Sequence, residues 1–335
     1  MLKRLIIRAD ASPNMGTGHI MRCIALAQAG ISAGLDVQLV SHCPVDWLRE
    51  RVRTEGVPFV KLSGPPPKEE RPENLLEFLD RFGYATANSG LVLDGYHFSS
   101  ACQHEVMRSG YPLLLVDDYN HLPLYHCNIL LNPNIEPAAD CYKGNIGKKL
   151  LGAQYVLLRK DFLISRPAKI PLNVPERLLI TLGGGNFINV LEKIASSLPA
   201  DILKTCSISV LRGAMPYEKI IQAFERRGAP VQIFEAVTHM ADLLYNTDIC
   251  ITAGGGTCWE LCKLKIPFLT VPLAANQEAG VHFMAEQGIA PVYSSRALQF
   301  FFKPGFLADY TQKWQVEHIA SQGAAGVIQE FSKHS

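Results

Sequence analysis

The stretch ADASPNMGTGHIMRC occupies residues 9–23 and continues the apolar run LIIRAD of residues 5–10. An apolar, β-branched run that ends in a polar residue and leads into glycines is typical of a parallel strand that turns into a helix. The apolar positions that follow recur with helical period over residues 18–33. This strand–glycine–helix unit predicts an α/β domain with a ligand site at the carboxyl end of its first strand.

Similar strand–loop units recur on both sides of a proline-rich stretch at residues 162–176. The runs before it are DVQLVSH (36–42), LVLDGY (91–96), PLLLVDDY (112–119) and NILLNPN (128–134). The runs after it are RLLITLGGG (177–185), CSISVLRG (206–213), PVQIFEA (230–236), DICITAGGG (248–256) and IPFLTVPLA (266–274). Strands that are apolar on both faces and alternate with helices predict parallel sheets covered by helices.

The proline-rich stretch predicts a linker between two Rossmann-like α/β domains that face each other. We expect an N-terminal domain over residues 1–161, a C-terminal domain over 177–305, and a helical segment over 306–335 that packs back on the N-terminal domain. Ligands of open α/β sheets bind beyond the carboxyl ends of the strands, so we expect the active site in the interdomain cleft. A second proline run, at residues 64–73, predicts a solvated surface loop.

Composition narrows the classes of partner. The 335-residue chain carries 32 basic and 31 acidic side chains, a net charge of +1, which argues against a nucleic-acid partner. No stretch approaches the ~20 apolar residues of a membrane span, so we expect no membrane partner. Nine cysteines without framework spacing are typical of a reducing cytosol, and they predict a cytoplasmic protein without a metal site. Because no long apolar helix face is left over, we expect a monomer.

The first motif combines glycines with a histidine at the expected start of a helix. Gly16 and Gly18 permit a tight turn and a close approach of the backbone to a ligand. His19 then lies at the positive end of the helix dipole, which favours a neutral imidazole able to accept a proton. Asp10, at the end of the strand, is the candidate partner that holds or charge-balances His19. The alternative is a plain tight turn in which Thr17 caps the helix.

Two glycine triplets close strands of the second half. Residues 183–185, followed by Asn186, have the pattern of a backbone loop that wraps a phosphate. The triplet at residues 254–256 precedes Thr257, which we expect to cap a helix whose free N–H groups suit a diphosphate.

Three further polar side chains follow the second triplet. Glu260 lies one turn into the helix, where it is suited to accept hydrogen bonds from ribose hydroxyls. Asn276 and Gln277, expected at the end of the next strand, offer amide donors and acceptors to sugar hydroxyls or phosphate. In the alternative interpretation Glu260 is a solvated surface charge and the amide pair is a turn.

Polar residues also end two strands of the first half. Asp94 and Tyr96 follow one strand, and Asp117 and Asp118 follow the next. Paired aspartates suit a metal site or an acid–base pair, but a strand-end aspartate commonly caps the next helix. For Asp118 we favour the cap.

Seven motifs occur in the order RADASPNMGTGHIMRC, LVLDGY, LLLVDDY, NPN, YVLLRKDF, TLGGGN and AGGGTCWEL, the last followed by a proline and Asn-Gln. Over residues 6–290 the chain resembles the UDP-sugar hydrolases of pseudaminic acid biosynthesis. That family acts on UDP-2,4-diacetamido-2,4,6-trideoxy-β-L-altropyranose and is similar to the GT-B glycosyltransferases, particularly the lipid II-forming N-acetylglucosaminyltransferase. The resemblance therefore implies a GT-B-like fold of two Rossmann-like domains.

The resemblance also implies roles for individual residues. His19 becomes the catalytic histidine, with Tyr96 near the sugar. The implied UDP-binding residues are Gly183, Gly184, Gly255, Gly256, Thr257, Glu260, Asn276 and Gln277. Gly16, Gly18, Arg22, Gly185 and Asn186 complete the candidate substrate-binding set. The chain departs from the family at Gly185-Asn186, where an acidic residue usually follows the glycines.

The expected activity is hydrolysis of the UDP-sugar without a cofactor or metal. His19 would deprotonate a water that attacks the anomeric carbon with inversion, and UDP would leave. Two alternatives remain at this point: a GT-B glycosyltransferase, in which a hydroxyl replaces the water, and a non-catalytic protein that binds nucleotide sugars.

Overall fold

The computed structural model describes residues 2–12, 15–134, 141–167, 169, 172–235, 237–307, 310, 319 and 322–334. The chain divides into two compact units. The first unit comprises residues 1–160 and 318–335, and the second comprises residues 161–317. None of the helices in the described ranges is both long and apolar enough to cross a membrane.

The first unit is built on a parallel sheet. Its described strands are β1 (Arg4–Ala9), β2 (Asp36–Ser41), β3 (Phe59–Lys61), β4 (Ser89–Asp94), β5 (Leu113–Val116), β6 (Tyr125–Asn132) and β7 (Gly144–Leu151). Their order across the sheet is β3-β2-β1-β4-β5-β6-β7. In register, Ile7 of β1 lies opposite Leu39 of β2 and Val92 of β4. The order 3-2-1-4-5 is that of a Rossmann sheet, as the sequence predicts.

Helices cover both faces of this sheet. They are α1 (Gly18–Ser32), α2 (Asp46–Thr54), α3 (Pro72–Arg81) and α4 (Ser100–Arg108). Side chains of β1 alternate between the two faces, so Leu5 and Ile7 belong to one buried cluster and Ile6 to the other. This alternation explains why the strands read as continuous apolar runs.

The second unit repeats the plan on a smaller sheet. Its described strands are β8 (Arg177–Thr181), β9 (Ser207–Leu211), β10 (Val231–Phe234), β11 (Ile249–Ala253) and β12 (Phe268–Val271). They are parallel in the order β10-β9-β8-β11-β12. The helices are α5 (Lys160–Leu163) where the chain passes between units, α6 (Ile188–Ser197), α7 (Ala200–Thr205), α8 (Tyr217–Glu225), α9 (Met240–Tyr245), α10 (Gly256–Leu264), α11 (Ala275–Glu286) and α12 (Ser295–Phe301).

A helix near the end of the chain, α13 (Gly323–Lys333), belongs to the first unit. Its apolar side chains Val327 and Phe331 are buried in the cluster that also holds Leu5 and Ile24. The ring of Phe331 lies so close to Gly90 of β4 that a Cβ there would be 2.7 Å from the ring. Residues 311–318 of the predicted helical segment lie outside the described residues.

The packing of α13 gives a stability prediction. Phe331→Ala removes a fully buried ring and is expected to destabilise the first unit by about 3–5 kcal/mol, because lost burial and a residual cavity add. Gln329→Ala, at an exposed position on the same helix, is the matched control and is expected to change stability by less than about 0.5 kcal/mol. Urea unfolding measures both. Equal effects of the two substitutions would contradict the assigned packing.

Candidate active site

Both sheets reverse their strand order at a single place. In the first sheet β1 lies between β2 and β4, and in the second β8 lies between β9 and β11. The crevice outside the carboxyl ends of such a strand pair is where open α/β sheets bind ligands. The predicted motifs follow these strands: the histidine motif follows β1, and the two glycine triplets follow β8 and β11. Each unit therefore carries its motifs at its own topological switch point.

His19 is the second residue of α1 and is almost fully buried. Its Nδ1 lies 2.7 Å from Oδ1 of Asp94, the last residue of β4. The prediction that Asp10 holds His19 is wrong, because Asp10 contacts Arg8 and the backbone N–H of His42 instead. The strand that supplies the partner of His19 is β4, the neighbour of β1 in the sheet.

The surroundings of Nδ1 determine the tautomer of His19. A carboxylate oxygen at 2.7 Å accepts a hydrogen bond, so Nδ1 carries the proton. Nη2 of Arg22 is also 3.2 Å from Nδ1, but it has a shorter contact of 2.6 Å with Oδ1 of Asp94. With Nδ1 protonated, Nε2 holds the free lone pair. His19 is thereby oriented as a proton acceptor through Nε2.

Arg22 lies one turn after His19 and links two carboxylates. Its Nε and Nη2 donate to the two oxygens of Asp94 at 2.6 Å each, and Nη1 donates to Asp118 at 2.5 Å. The other oxygen of Asp118 accepts the Tyr96 hydroxyl at 2.6 Å. The preference for Asp118 as a helix cap is therefore wrong. Arg22, predicted to bind substrate, here positions the carboxylates around His19.

Asp94 is fully buried yet ionised. Burial alone raises the pKa of its carboxyl, but the guanidinium of Arg22 and the imidazole of His19 outweigh burial and hold the pKa well below its usual range. The edge of the Tyr96 ring packs on His19, with ring centroids 5.0 Å apart. The structure thus brings together His19 and Tyr96, two of the three predicted catalytic residues, and adds Asp94.

The first glycines lie as the motif predicts. Gly16 has a left-handed φ of 82°, and its N–H donates to the carbonyl of Ser12 at 2.8 Å. Gly18 opens α1, and a Cβ there would meet open space. Thr17 precedes the helix but makes no side-chain cap. Among the described residues, the helix N-terminus beside His19 therefore has no side-chain cap from Thr17 and nothing within 4 Å of a Cβ on Gly18.

Asp10 belongs to a separate buried cluster. Its partner Arg8 also donates to Glu70 at 2.7 Å, and Nε2 of His97 lies 3.1 Å from the second oxygen of Asp10. Glu70 is only 6% exposed, so the prediction of a solvated loop over residues 64–73 fails at this residue. Burial raises the pKa of Asp10, but the neighbouring His97 and Arg8 outweigh it and lower the pKa to about 2. Within the described residues, no His, Cys, Asp and Glu side chains form a group suited to a metal ion.

The loop after β8 carries the first triplet of the second unit. Gly183 has a φ of 82°, and the Gly185 carbonyl accepts the N–H of Ala214 at 3.3 Å. Gly184 lies between them, partly buried. The Asn186 side chain accepts the N–H of Ile188 at the start of α6, at 3.4 Å.

The loop after β11 leads directly into α10. Gly255 is the N-cap and Gly256 the first helical residue, so Thr257 lies inside the first turn and the predicted cap at Thr257 is wrong. A Cβ on Gly255 or Gly256 would meet open space. Glu260 follows one turn later in the same helix and is half-buried. Among the described residues nothing therefore lies in front of the first N–H groups of α10 at Gly256 and Thr257, whereas the Gly255 N–H donates to the Ala253 carbonyl at 2.8 Å.

Asn276 and Gln277 lie in the first turn of α11, not at the end of a strand as predicted. The strand ends at Val271, and Pro272, Leu273 and Ala274 lead into the helix instead. Oε1 of Gln277 accepts the N–H of Leu273 at 3.0 Å. A Cβ on Gly254 would lie 3.2 Å from the Cβ of Gln277. The second triplet and Gln277 thus lie side by side.

Comparisons with known proteins agree with a fold of two units, each built on a parallel sheet. Residues 178–301 match the glycosyltransferase family 28 C-terminal domain. The structure is similar to MurG of Acinetobacter baumannii, with a TM-score of 0.66 and 15% identity over 98% of this chain and 99% of that chain. The MnaA–UDP structure from S. aureus aligns with a TM-score of 0.65 and 12% identity over 100% of this chain and 98% of that one. The chain has the GT-B fold.

The resemblance inferred from the motifs is also confirmed. The chain is 26% identical over 301 residues to the UDP-2,4-diacetamido-2,4,6-trideoxy-beta-L-altropyranose hydrolase of Campylobacter jejuni. The alignment covers 87% of this GT-B chain and 99% of the hydrolase. It therefore spans both units rather than the glycosyltransferase-like part alone.

The Asp10 cluster gives a pH-dependent prediction. Asp10→Asn is expected to lower stability at pH 7 by about 2 kcal/mol, since a carboxyl whose pKa falls from 3.8 to about 2 on folding stabilises the fold when ionised. That stabilisation is complete above the unfolded pKa and is lost as pH falls toward 2. The difference between the wild type and the variant should therefore shrink between pH 5 and pH 2 in urea unfolding.

Asp36→Asn is the control for this measurement. Asp36 pairs with Arg4 at 2.7 Å but is more than half exposed, so its removal should cost less than about 1 kcal/mol. If Asp10→Asn lowered the free energy of unfolding by the same amount from pH 7 to pH 2, Asp10 would not be an ionised, buried carboxylate.

Proposed function

We propose that this chain hydrolyses UDP-2,4-diacetamido-2,4,6-trideoxy-β-L-altropyranose to UDP and the free sugar, a step of pseudaminic acid biosynthesis in the cytoplasm. The observation that carries the proposal is the His19–Asp94 pair, with Nδ1 tied to a buried carboxylate at 2.7 Å and Nε2 left as a proton acceptor. The similarity to the Campylobacter jejuni hydrolase over both units supports this substrate.

The reaction needs one base. Nε2 of His19 takes a proton from a water molecule, whose oxygen attacks the anomeric carbon and forms the new C–O bond. The bond from that carbon to the β-phosphate oxygen breaks, and UDP leaves with the electron pair. The configuration at the anomeric carbon inverts. Asp94 stabilises the imidazolium that forms, as a carboxylate does in other His–Asp pairs.

The second unit would supply nucleotide binding. Diphosphates bind at helix N-termini because free N–H groups and the helix dipole both favour negative charge. The α10 N-terminus, with Gly255, Gly256 and Thr257, has this form, and the Gly183–Gly185 loop adds backbone at the same switch point. Glu260 and the Asn276–Gln277 pair remain candidates for the ribose and the phosphate. The same donors would stabilise UDP as it leaves, so no strong general acid is required.

A glycosyltransferase is the second candidate, because the matching family model is that of a glycosyltransferase domain. In that case a sugar or lipid hydroxyl would replace the attacking water. A transferase leaves most of the UDP-sugar intact until an acceptor is added. A non-catalytic binding protein, the third candidate, would bind the UDP-sugar stoichiometrically and release no UDP.

The test is proton and phosphorus NMR of the purified protein with this UDP-sugar in ¹⁸O-water, without acceptor or added metal. We expect unlabelled UDP and a reducing sugar that carries ¹⁸O at the anomeric carbon. Label in UDP would place the attack at phosphorus, and intact substrate would contradict hydrolysis.

Substitutions in the His19–Asp94 pair test whether His19 acts as the general base. His19→Asn is expected to lower turnover by roughly 10²- to 10⁴-fold with little change in UDP affinity, because general-base assistance has that magnitude. Asp94→Asn should lower turnover in the same direction, since an amide neither orients nor charge-stabilises the imidazole as a carboxylate does. His104→Asn, at an exposed histidine of α4, is the control. Near-normal turnover of His19→Asn would overturn the assignment.

Gly256 gives a test that separates binding from folding. A side chain fits there without a clash, and a carboxylate in the first turn stabilises a helix. Gly256→Asp should therefore leave stability unchanged or raised while weakening UDP affinity by at least about 10-fold through repulsion of the phosphates. Gly256→Asn is the uncharged control and should weaken UDP binding far less. Calorimetric titration with UDP measures both, and equal affinities would argue against a diphosphate at this helix.

A further inference from the structure

A second His–Asp pair lies in the loop after β5. Nδ1 of His121 is 2.6 Å from Oδ1 of Asp117. The other oxygen of Asp117 accepts the Tyr142 hydroxyl and the N–H of Asn120, each at 2.6 Å. Asn120 has a left-handed φ of 56°, which turns the chain so that His121 returns to Asp117. The loop is thus folded around one carboxylate.

Asp117 remains ionised in this position. Burial raises the pKa of its carboxyl, but the hydrogen bonds from His121, Tyr142 and the Asn120 N–H outweigh burial and lower the pKa. The carboxylate holds the proton of His121 on Nδ1, as Asp94 does for His19. Nε2 of His121 is then the nitrogen that can meet another molecule.

That nitrogen has no hydrogen-bond partner in the part of the chain that the structure describes. Among the described residues, Nε2 of His121 is buried and makes no hydrogen bond, and the whole side chain is 13% exposed. A buried polar atom without a partner destabilises the fold, and a ligand or an ordered water that bonds it removes that cost. Asp117 nevertheless holds His121 in place through Nδ1, and it is itself fixed by the hydrogen bonds from the Asn120 N–H and the Tyr142 hydroxyl.

His121 lies next to the proposed catalytic pair. The Tyr96 ring packs edge-on against His19 at 5.0 Å and against His121 at 5.1 Å between ring centroids. The hydroxyl of Tyr96 is fixed by Asp118, the residue after Asp117. One aromatic ring therefore contacts both imidazoles, and both His–Asp pairs lie at the carboxyl edge of the first sheet, after β1 and β5.

We propose that His121 is a specificity-determining residue that hydrogen-bonds the sugar of the UDP-sugar through Nε2. This inference rests on the proposed function, because it places the sugar beside Tyr96 and His19. The partner is a polar substituent of the sugar ring, an acetamido group or a hydroxyl. His19 moves the proton of the attacking water, and His121 recognises the sugar.

Two amide substitutions separate this role from a purely structural one. The Asn side chain places its amide where Nδ1 of histidine lies, so His121→Asn keeps the bond to Asp117 and loses the group at Nε2. The Gln side chain reaches the position of Nε2, so His121→Gln keeps a polar group for the sugar and gives up the bond to Asp117. A sugar-binding role predicts that the Asn variant is impaired and the Gln variant largely rescued. A structural role predicts the reverse.

The measurement is calorimetric titration with UDP and with UDP-2,4-diacetamido-2,4,6-trideoxy-β-L-altropyranose, in a His19→Asn background that slows turnover. We expect His121→Asn to weaken binding of the UDP-sugar by roughly 5- to 10-fold, the effect of one lost hydrogen bond, and to leave the affinity for UDP unchanged. His121→Gln should weaken binding of the UDP-sugar by less than about half of that factor. Tyr142→Phe, which removes the hydrogen bond to Asp117 and the one that the hydroxyl accepts from Asn132 but leaves Nε2 of His121 intact, should lower the melting temperature without changing either affinity.

The outcomes are separable from those of the proposed function. Unchanged UDP-sugar affinity in His121→Asn, an equal loss for UDP, or a larger loss in the Gln variant would overturn the role of His121. Release of UDP by the otherwise wild-type protein is scored separately by phosphorus NMR. If no UDP is released but His121→Asn still binds the UDP-sugar more weakly and UDP equally well, hydrolysis is overturned and His121 is supported as a sugar contact.

Discussion

A single buried carboxylate organises the first unit's site. Asp94 ends β4 with no exposed surface, and an ionised carboxylate in such a position is stable only when cations and hydrogen-bond donors surround it. Arg22 and His19 supply both, from successive turns of α1. The carboxylate therefore fixes where α1 begins relative to β4, which tautomer His19 adopts and where Arg22 points. Through Arg22 it also fixes Asp118 and, beyond it, the Tyr96 hydroxyl.

The two units use the same topological position for different chemistry. In the first, charged side chains at the switch point hold one another in place, and the helix N-terminus beside them carries a histidine. In the second, the loops at the switch point are glycines, and backbone N–H groups face outward at the start of α10. Side-chain carboxylates suit proton transfer and repel phosphate, whereas bare backbone suits phosphate. The residue types of the two units thus match their proposed roles, which are proton transfer in the first unit and phosphate binding in the second.

The sequence predicted both parallel sheets and ten of the twelve described strands, because continuous apolar runs and glycine-ended strands carry that information locally. The short β3 and the polar β7 have no such run and were not predicted. It also located His19 and the glycine loops. It assigned the wrong partner to His19 because Asp10 and Asp94 both end strands, and only the folded sheet shows which carboxylate faces α1. Glu70 was misjudged for a similar reason: its partner Arg8 lies 62 residues away. His121 has no motif around it, and its function would follow only from the loop that returns it to Asp117.

The charges around His19 also bear on its proposed role. Asp94 and Asp118 contribute two negative charges and Arg22 one positive charge, so this group carries a net charge of −1 when His19 is neutral. A proton captured at Nε2 brings the group to neutrality. In a buried site a neutral group is favoured over a charged one, so the surroundings stabilise the imidazolium formed as water is deprotonated. Arg22 therefore offsets one of the two carboxylate charges beside His19 and holds both carboxylates in place, because its shortest hydrogen bonds go to Asp94 and Asp118.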